Sequence, residues 1–144
     1  MTEMTPQTLS GSKVSLEQVL EFLHKQRFQA KLLQYRDMKP HSWIILDSSQ
    51  NLAAVCLVSH TVLREYVYER PTFYVEYLVV REDLQRKGLG SKLLQTVLQN
   101  IRKTVRLHCF KPELVTFYQK FGFSLVKQSP ENEFLLEKRY SSSR

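Results

Sequence analysis

Cysteines and long apolar runs are scarce in this sequence, and each shortage closes off a class of protein. Two cysteines, Cys56 and Cys109, in 144 residues cannot staple a disulfide-built secreted scaffold. Both sit inside apolar, strand-like runs, which predicts buried, reduced thiols and a cytoplasmic protein. No apolar stretch approaches the ~20 residues of a membrane span, and the polar first residues lack the apolar core of a signal peptide. No membrane partner is expected. His24 and His41 have no ligand-type partners at useful spacing, so no metal site is expected. Repeats and linkers are also absent. With 42% apolar and 24% charged residues, the chain is ordinary globular material for one domain with a sizeable core.

The formal charge of +7 is unevenly spread. Residues 1–80 carry eight basic and eight acidic side chains, whereas residues 81–111 carry eight basic ones against only Glu82 and Asp83. A nucleic-acid surface would spread its charge along a face or tail, and no nucleic-acid partner is expected. Concentrated charge suits a compact polyanion.

That polyanion has an obvious seat. Tyr74-Val75-Glu76-Tyr77-Leu78-Val79-Val80 reads as a strand, and Arg81-Glu82-Asp83-Leu84 as a charged turn. Gln85-Arg86-Lys87-Gly88-Leu89-Gly90-Ser91 reads as a glycine loop opening a helix, with Leu93, Leu94, Val97, Leu98 and Ile101 on its buried face. Main-chain N–H groups and the positive end of the helix dipole meet there, and glycine lets a phosphate come close. The spacing fits neither a Walker A loop nor a dinucleotide fingerprint, since Leu93 stands where the third glycine belongs. Gln85-Arg86-Lys87-Gly88-Leu89-Gly90 instead resembles the pyrophosphate loop of the GNAT superfamily of acetyl-coenzyme A-dependent N-acetyltransferases. Thr116-Phe117-Tyr118-Gln119-Lys120-Phe121-Gly122-Phe123 resembles the second block of that family. The resemblance covers roughly residues 42 to 138. It implies an α/β (α+β) fold, with a mixed, mostly antiparallel central sheet flanked by helices, and acetyl-coenzyme A as cofactor.

In chain order, residues 1–14 read as a flexible arm, residues 15–140 as one domain and 141–144 as a disordered tail. The family usually opens on a strand, but Lys13-Val14 is too little to support one. Ser15-Leu16-Glu17-Gln18 has capping-box spacing ahead of a helix ending near Arg27. A second helix is expected over Phe28 to Arg36, stopped before Pro40. Strands are expected at Ser42–Asp47 and Leu52–His60 as a hairpin about a turn, then after Pro71, at Val105–Phe110, at Phe123–Lys127 and at Phe134–Lys138. Between them, Pro112–Phe121 reads as a helix with proline at its start and Gly122 at its end.

On the resemblance, Leu78, Val79 and Val80 offer main chain to the pantetheine arm, and one N–H polarises the thioester carbonyl. Gln85 through Ser91 hold the pyrophosphate. Tyr118 is the expected acid, since a phenol with a pKa of ~10 keeps its proton at neutral pH. Its neighbours Phe117 and Phe121 are expected to face the core, with Tyr118 off that line. For the base, two sets stay open. Glu76 is a carboxylate in an apolar strand, and burial there would raise its pKa; its plainer reading is a carboxylate paired with an arginine. Family members with a strand glutamate base carry it at the place of Tyr74. A tyrosine there, with a histidine in the next strand, resembles a subgroup acting on protein N-termini, and Leu107-His108-Cys109 supplies the counterpart. In the loop that follows, Phe110-Lys111-Pro112 departs from the family's asparagine.

The resemblance implies direct transfer to an amine in a ternary complex, by a monomer or homodimer. Glu65, Glu69 and Glu76, with Tyr66, Tyr68 and Tyr74, would suit a cationic acceptor. Two other classes compete: a coenzyme-binding sensor without turnover, and a basic nucleic-acid-binding domain.

Overall fold

A computed structural model describes residues 4–30, 35–60 and 72–140. Seven strands form one mixed, mostly antiparallel sheet in the order β1-β2-β3-β4-β5-β7-β6. They are β1 Pro6–Thr8, β2 Trp43–Leu46, β3 Leu52–His60, β4 Thr72–Val80, β5 Thr104–Cys109, β6 Ser124–Gln128 and β7 Phe134–Lys138, with helices α1 Leu16–Lys25, α2 Tyr35–Met38, α3 Leu89–Asn100 and α4 Pro112–Gln119. β4 and β5 run parallel, while β1–β2, β2–β3, β5–β7 and β6–β7 are antiparallel. The chain divides into two compact units that interleave in sequence: Met1–Ser59 with Glu76–Ile101, and His60–Val75 with Arg102–Arg144.

In the first unit, α1 begins with the expected capping box. Gln18 N–H donates to Ser15 Oγ (3.2 Å) and Ser15 N–H to Gln18 Oε1 (2.8 Å), and such a cap is worth about 1 kcal/mol. Its apolar stripe of Val19, Phe22 and Leu23 packs with Leu9, Val14, Met38, Ile44, Val55, Leu57 and Val79. β3 is buried at every position from Leu52 to Ser59, as a strand covered on both faces must be. Leu93, Leu94 and Val97 of α3 are fully buried, and this helix packs on β1 and β2.

Residues 6–9 correct the flexible-arm reading. Pro6–Thr8 pairs with Trp43–Ile45, and Leu9 is fully buried. Three residues carry no periodicity, and proline is tolerated at a strand's start or edge, so only the partner strand defines β1. Lys92, in the second turn of α3, extends the same link by donating from Nζ to Met4 O (3.1 Å). The second helix is corrected as well. Arg27 closes α1 in a left-handed conformation (φ 72°), Phe28–Ala30 carry no regular structure, and among the described residues Tyr35–Met38 is helical. Residues 31–34 of that expectation lie outside the described residues, as do 61–71 and the tail. α2 ends at Met38, before Pro40 as expected, and Pro40 sits within a tight turn, Lys39–His41.

In the second unit, β5 and β7 bury Val105, Leu107, Phe134 and Leu136. Glu137 bridges Arg106 Nε and Arg139 Nε, each at 2.8 Å. Burial alone would raise its carboxyl, but hydrogen bonds from Arg139 and Arg106, with their charges, bring it below the usual carboxylate range. A depressed carboxyl stabilises the fold fully above the unfolded value of ~4.3 and loses that contribution as pH falls through the folded one. Glu137→Gln should therefore destabilise by about 1–2 kcal/mol at pH 7. In urea titrations this deficit should shrink toward pH 3; a deficit constant across that range would show that the charge is not what matters.

Candidate active site

The expected anion seat begins where β4 ends. After Val80 a short turn, Glu82–Leu84, leads to exposed Gln85, Arg86, Lys87 and Gly88. Gly88 is the N-cap of α3 with φ 81° and offers no side-chain cap. The first-turn N–H groups of Leu89, Gly90 and Ser91 therefore have no acceptor from a cap or from within the helix. A Cβ built on Gly88 meets nothing within 4 Å, so the space above the helix end is open. Arg86 is also left-handed (φ 66°), and such kinks turn successive N–H groups toward one concavity. A Cβ on Gly90 would lie 3.4 Å from Val80 Cγ2, which seats the helix on the strand. An open, uncapped helix end with two exposed cations fits a pyrophosphate.

Leu78, Val79 and Val80 line a cleft of about 220 Å³ with Lys25–Phe28, Glu82 and Gln85. At its side the Phe28 and Tyr77 rings meet edge to face at 5.9 Å. Registered pairing of β4 with β5 covers Thr72–Val75, and β4 continues five residues further, to Val80. Glu76 Oε2 accepts a hydrogen bond from Ser59 Oγ (2.6 Å), a fully buried hydroxyl. Ser59 is not among the partners expected from the sequence; its one signal there is a polar residue closing an apolar strand. Burial, then the Glu76 charge, pushes the Tyr77 hydroxyl above its usual range.

In the second unit, Tyr74 Oη and His108 Nδ1 share a hydrogen bond, with ring centroids 5.5 Å apart. Register explains the meeting. Tyr74 lies opposite Arg106, and His108 is two residues further on and so on the same sheet face. Tyr118 is the one buried residue of α4, held edge-on between Phe117 (5.1 Å) and Phe123 (5.8 Å). This reverses the expected facing: Phe117 and Phe121 are half-buried and pack on each other, while Tyr118 turns inward. Of the acidic and aromatic surround, Glu65, Tyr66, Tyr68 and Glu69 lie outside the described residues. β5 ends at Cys109, one residue short of expectation, and leaves Phe110 exposed. Among the described residues no group of three His, Cys, Asp or Glu side chains is placed to hold a metal ion. Among them, too, no helix is long and apolar enough to cross a membrane.

A mixed sheet whose central strand feeds a glycine-entered helix, with an aromatic helix following the next strand, defines a coenzyme-binding acyltransferase fold. The model of the acetyltransferase (GNAT) family matches residues 12–123, most of the chain, and the chain belongs to that family. It is an acetyltransferase, with acetyl-coenzyme A as its acyl donor. Solved structures share the fold across nearly the whole chain. Arabidopsis thaliana NAA60 with a bisubstrate analogue superposes with a TM-score of 0.72 at 15% identity, covering 98% of this chain and 100% of that one. Arabidopsis thaliana Naa50 with the bisubstrate analogue CoA-Ac-MVNAL gives 0.71 at 16%, covering 96% and 100%. The ribosomal-protein-S18-alanine N-acetyltransferase of Escherichia coli gives 0.67 at 14%, covering 99% and 97%. No curated protein sequence matches.

Proposed function

We propose that this enzyme acetylates the α-amine of a protein or peptide N-terminus by direct transfer in a ternary complex, with Tyr74 and His108 as its base. The observation that carries this reading is the Tyr74–His108 hydrogen bond; the Glu76 carboxylate, by contrast, accepts from Ser59. The tyrosine–histidine pair resembles the subgroup that acts on protein N-termini. Similarity to Naa50, crystallised with a coenzyme–peptide analogue, and to the S18-alanine N-acetyltransferase points the same way.

When bound, acetyl-coenzyme A supplies an activated acetyl thioester, which an amine attacks only after losing its proton. His108, oriented by the Tyr74 phenol, accepts that proton directly or through a water. Main-chain N–H groups of Leu78–Val80 polarise the carbonyl. Gln85 to Ser91 hold the pyrophosphate, and Tyr118 carries a proton at Oη for the departing sulfur. Neither cysteine suits a covalent route. Burial pushes the Cys56 thiol up to about 12, and burial outweighs a hydrogen bond from Lys111 N–H to raise Cys109 as well, whereas a nucleophilic thiol needs a lowered pKa. Reduced, buried thiols also suit a cytoplasmic enzyme.

A thiol-release assay on free N-terminal peptides, lysine peptides blocked at the N-terminus, and polyamines tests the acceptor. Turnover should be confined to the first; preference for lysine or polyamine would overturn it, and coenzyme binding without any turnover would favour a sensor. Tyr74→Phe and His108→Gln should each lower kcat about 100-fold or more. Glu76→Gln, which keeps an oxygen for Ser59, should cost less than about 10-fold. The opposite ranking would make Glu76 the base.

A further inference from the structure

Arg81–Gly88 carries the chain from β4 into α3, and most of it is exposed. Within this loop Arg86 and Gly88 are left-handed, and Gln85 donates from Nε2 to Val80 O (3.1 Å). Its downstream end is held by buried Leu89 and by Gly90 against Val80. The upstream end is held chiefly by the Arg81 guanidinium and the Gln26 side chain. Arg81 N–H donates to Ala53 O (2.8 Å), seating the residue on β3. The side chain then forks. Nη1 donates to Asp47 Oδ2 (2.9 Å) and to Leu52 O (3.0 Å), both at the β2–β3 turn. Nε donates to Asp83 Oδ1 (2.7 Å), inside the turn that delivers Gln85.

Asp47 is a firm anchor, because its Oδ1 also accepts from Ser49 and Asn51 N–H at 2.9 Å each. From the other side Gln26, the C-cap of α1, accepts the Glu82 N–H at Oε1 (3.0 Å). The Asp83 side chain is 65% exposed, so the core has no use for this grip. What it fixes is the entry to the loop.

We propose that Arg81 and Gln26 are positioning residues for the coenzyme loop. Arg81 ties Asp83 to the Asp47 turn and Gln26 ties Glu82 to the end of α1, so Gln85–Gly90 is held ready in one conformation. This rests on the reading that the loop binds the pyrophosphate. Preordering removes part of the entropy cost of binding, so its loss falls on coenzyme affinity and KM and spares kcat. Lysine cannot substitute, because one ammonium lacks the planar fork that reaches two carboxylates and a carbonyl together.

The test measures the Kd of coenzyme A, KM, kcat and Tm for Arg81→Lys, Asp83→Asn and Gln26→Ala, with Gly88→Glu as a control on the loop. Each of the three should weaken coenzyme A about 5- to 20-fold, while kcat stays within about two-fold in Arg81→Lys and Asp83→Asn. Asp83→Asn should do so at unchanged Tm. Normal affinity in all three with binding lost in Gly88→Glu would overturn this proposal alone. Normal affinity in Gly88→Glu too would overturn the loop reading and the proposal with it. Affinity that falls only in step with Tm would reduce Arg81 and Gln26 to structural residues, and overturn it as well. Should Arg81→Lys fail to fold, the other two variants decide.

Discussion

Gly88→Glu is expected to abolish coenzyme A binding while the protein stays folded. The glycine caps α3 with φ 81° and open space where a Cβ would stand, so a Cβ at this position meets no protein atom. Its cost to folding is the left-handed backbone, about 1–2 kcal/mol for a residue with a Cβ, against a typical stability of roughly 5–15 kcal/mol. On the proposed reading of the loop its cost to binding is far larger, because the side chain would enter the space the phosphates need and bring a like charge. Calorimetric titration should show Kd raised at least about 100-fold, or ~2.7 kcal/mol. Gly88→Ala separates the two effects: it should show the same loss of Tm with a much smaller loss of affinity. A glutamate variant with normal affinity would remove the loop from coenzyme binding.

Tyr118→Phe should leave coenzyme binding nearly intact and lower kcat by about 100- to 1,000-fold. The ring contacts with Phe117 and Phe123 hold Tyr118 in place, and phenylalanine keeps both, so the substitution removes a hydroxyl and little packing. A fall in kcat with unchanged Kd marks a group needed only in the transition state. If the variant turns over at the normal rate, the proton for the sulfur comes from elsewhere, and Tyr118 is simply the buried aromatic of its helix.

The features legible in the sequence were those written in local chemistry. The capping box at Ser15, the hairpin about Asp47, the glycine entry to α3 and the proline start of α4 each need only a few adjacent residues. What was missed depended on partners far along the chain. β1 exists because β2 accepts it, and Phe28–Ala30 do not continue as helix after Arg27 turns left-handed. The eight residues of α4 span too few turns for spacing to choose a face, and Tyr118 turns inward toward Phe123, beyond the helix end. Ser59 meets Glu76, and Arg81 meets Asp47, across 17 and 34 positions. Strand register decides such meetings, and periodicity does not encode it. Tyr74 and His108, also 34 apart, were paired in advance only through the family resemblance.

The way β1 and Met4 are held bears on how this protein is handled at the bench. Pro6–Thr8 lies against β2, Leu9 is fully buried, and Met4 O is bonded to Lys92 of α3, the helix whose open first turn is the proposed coenzyme seat. The opening residues are thus a splint along that helix. A purification handle or trimming that pries them loose disturbs α3 from behind, and coenzyme affinity measured on such material reports the cloning boundary along with the enzyme.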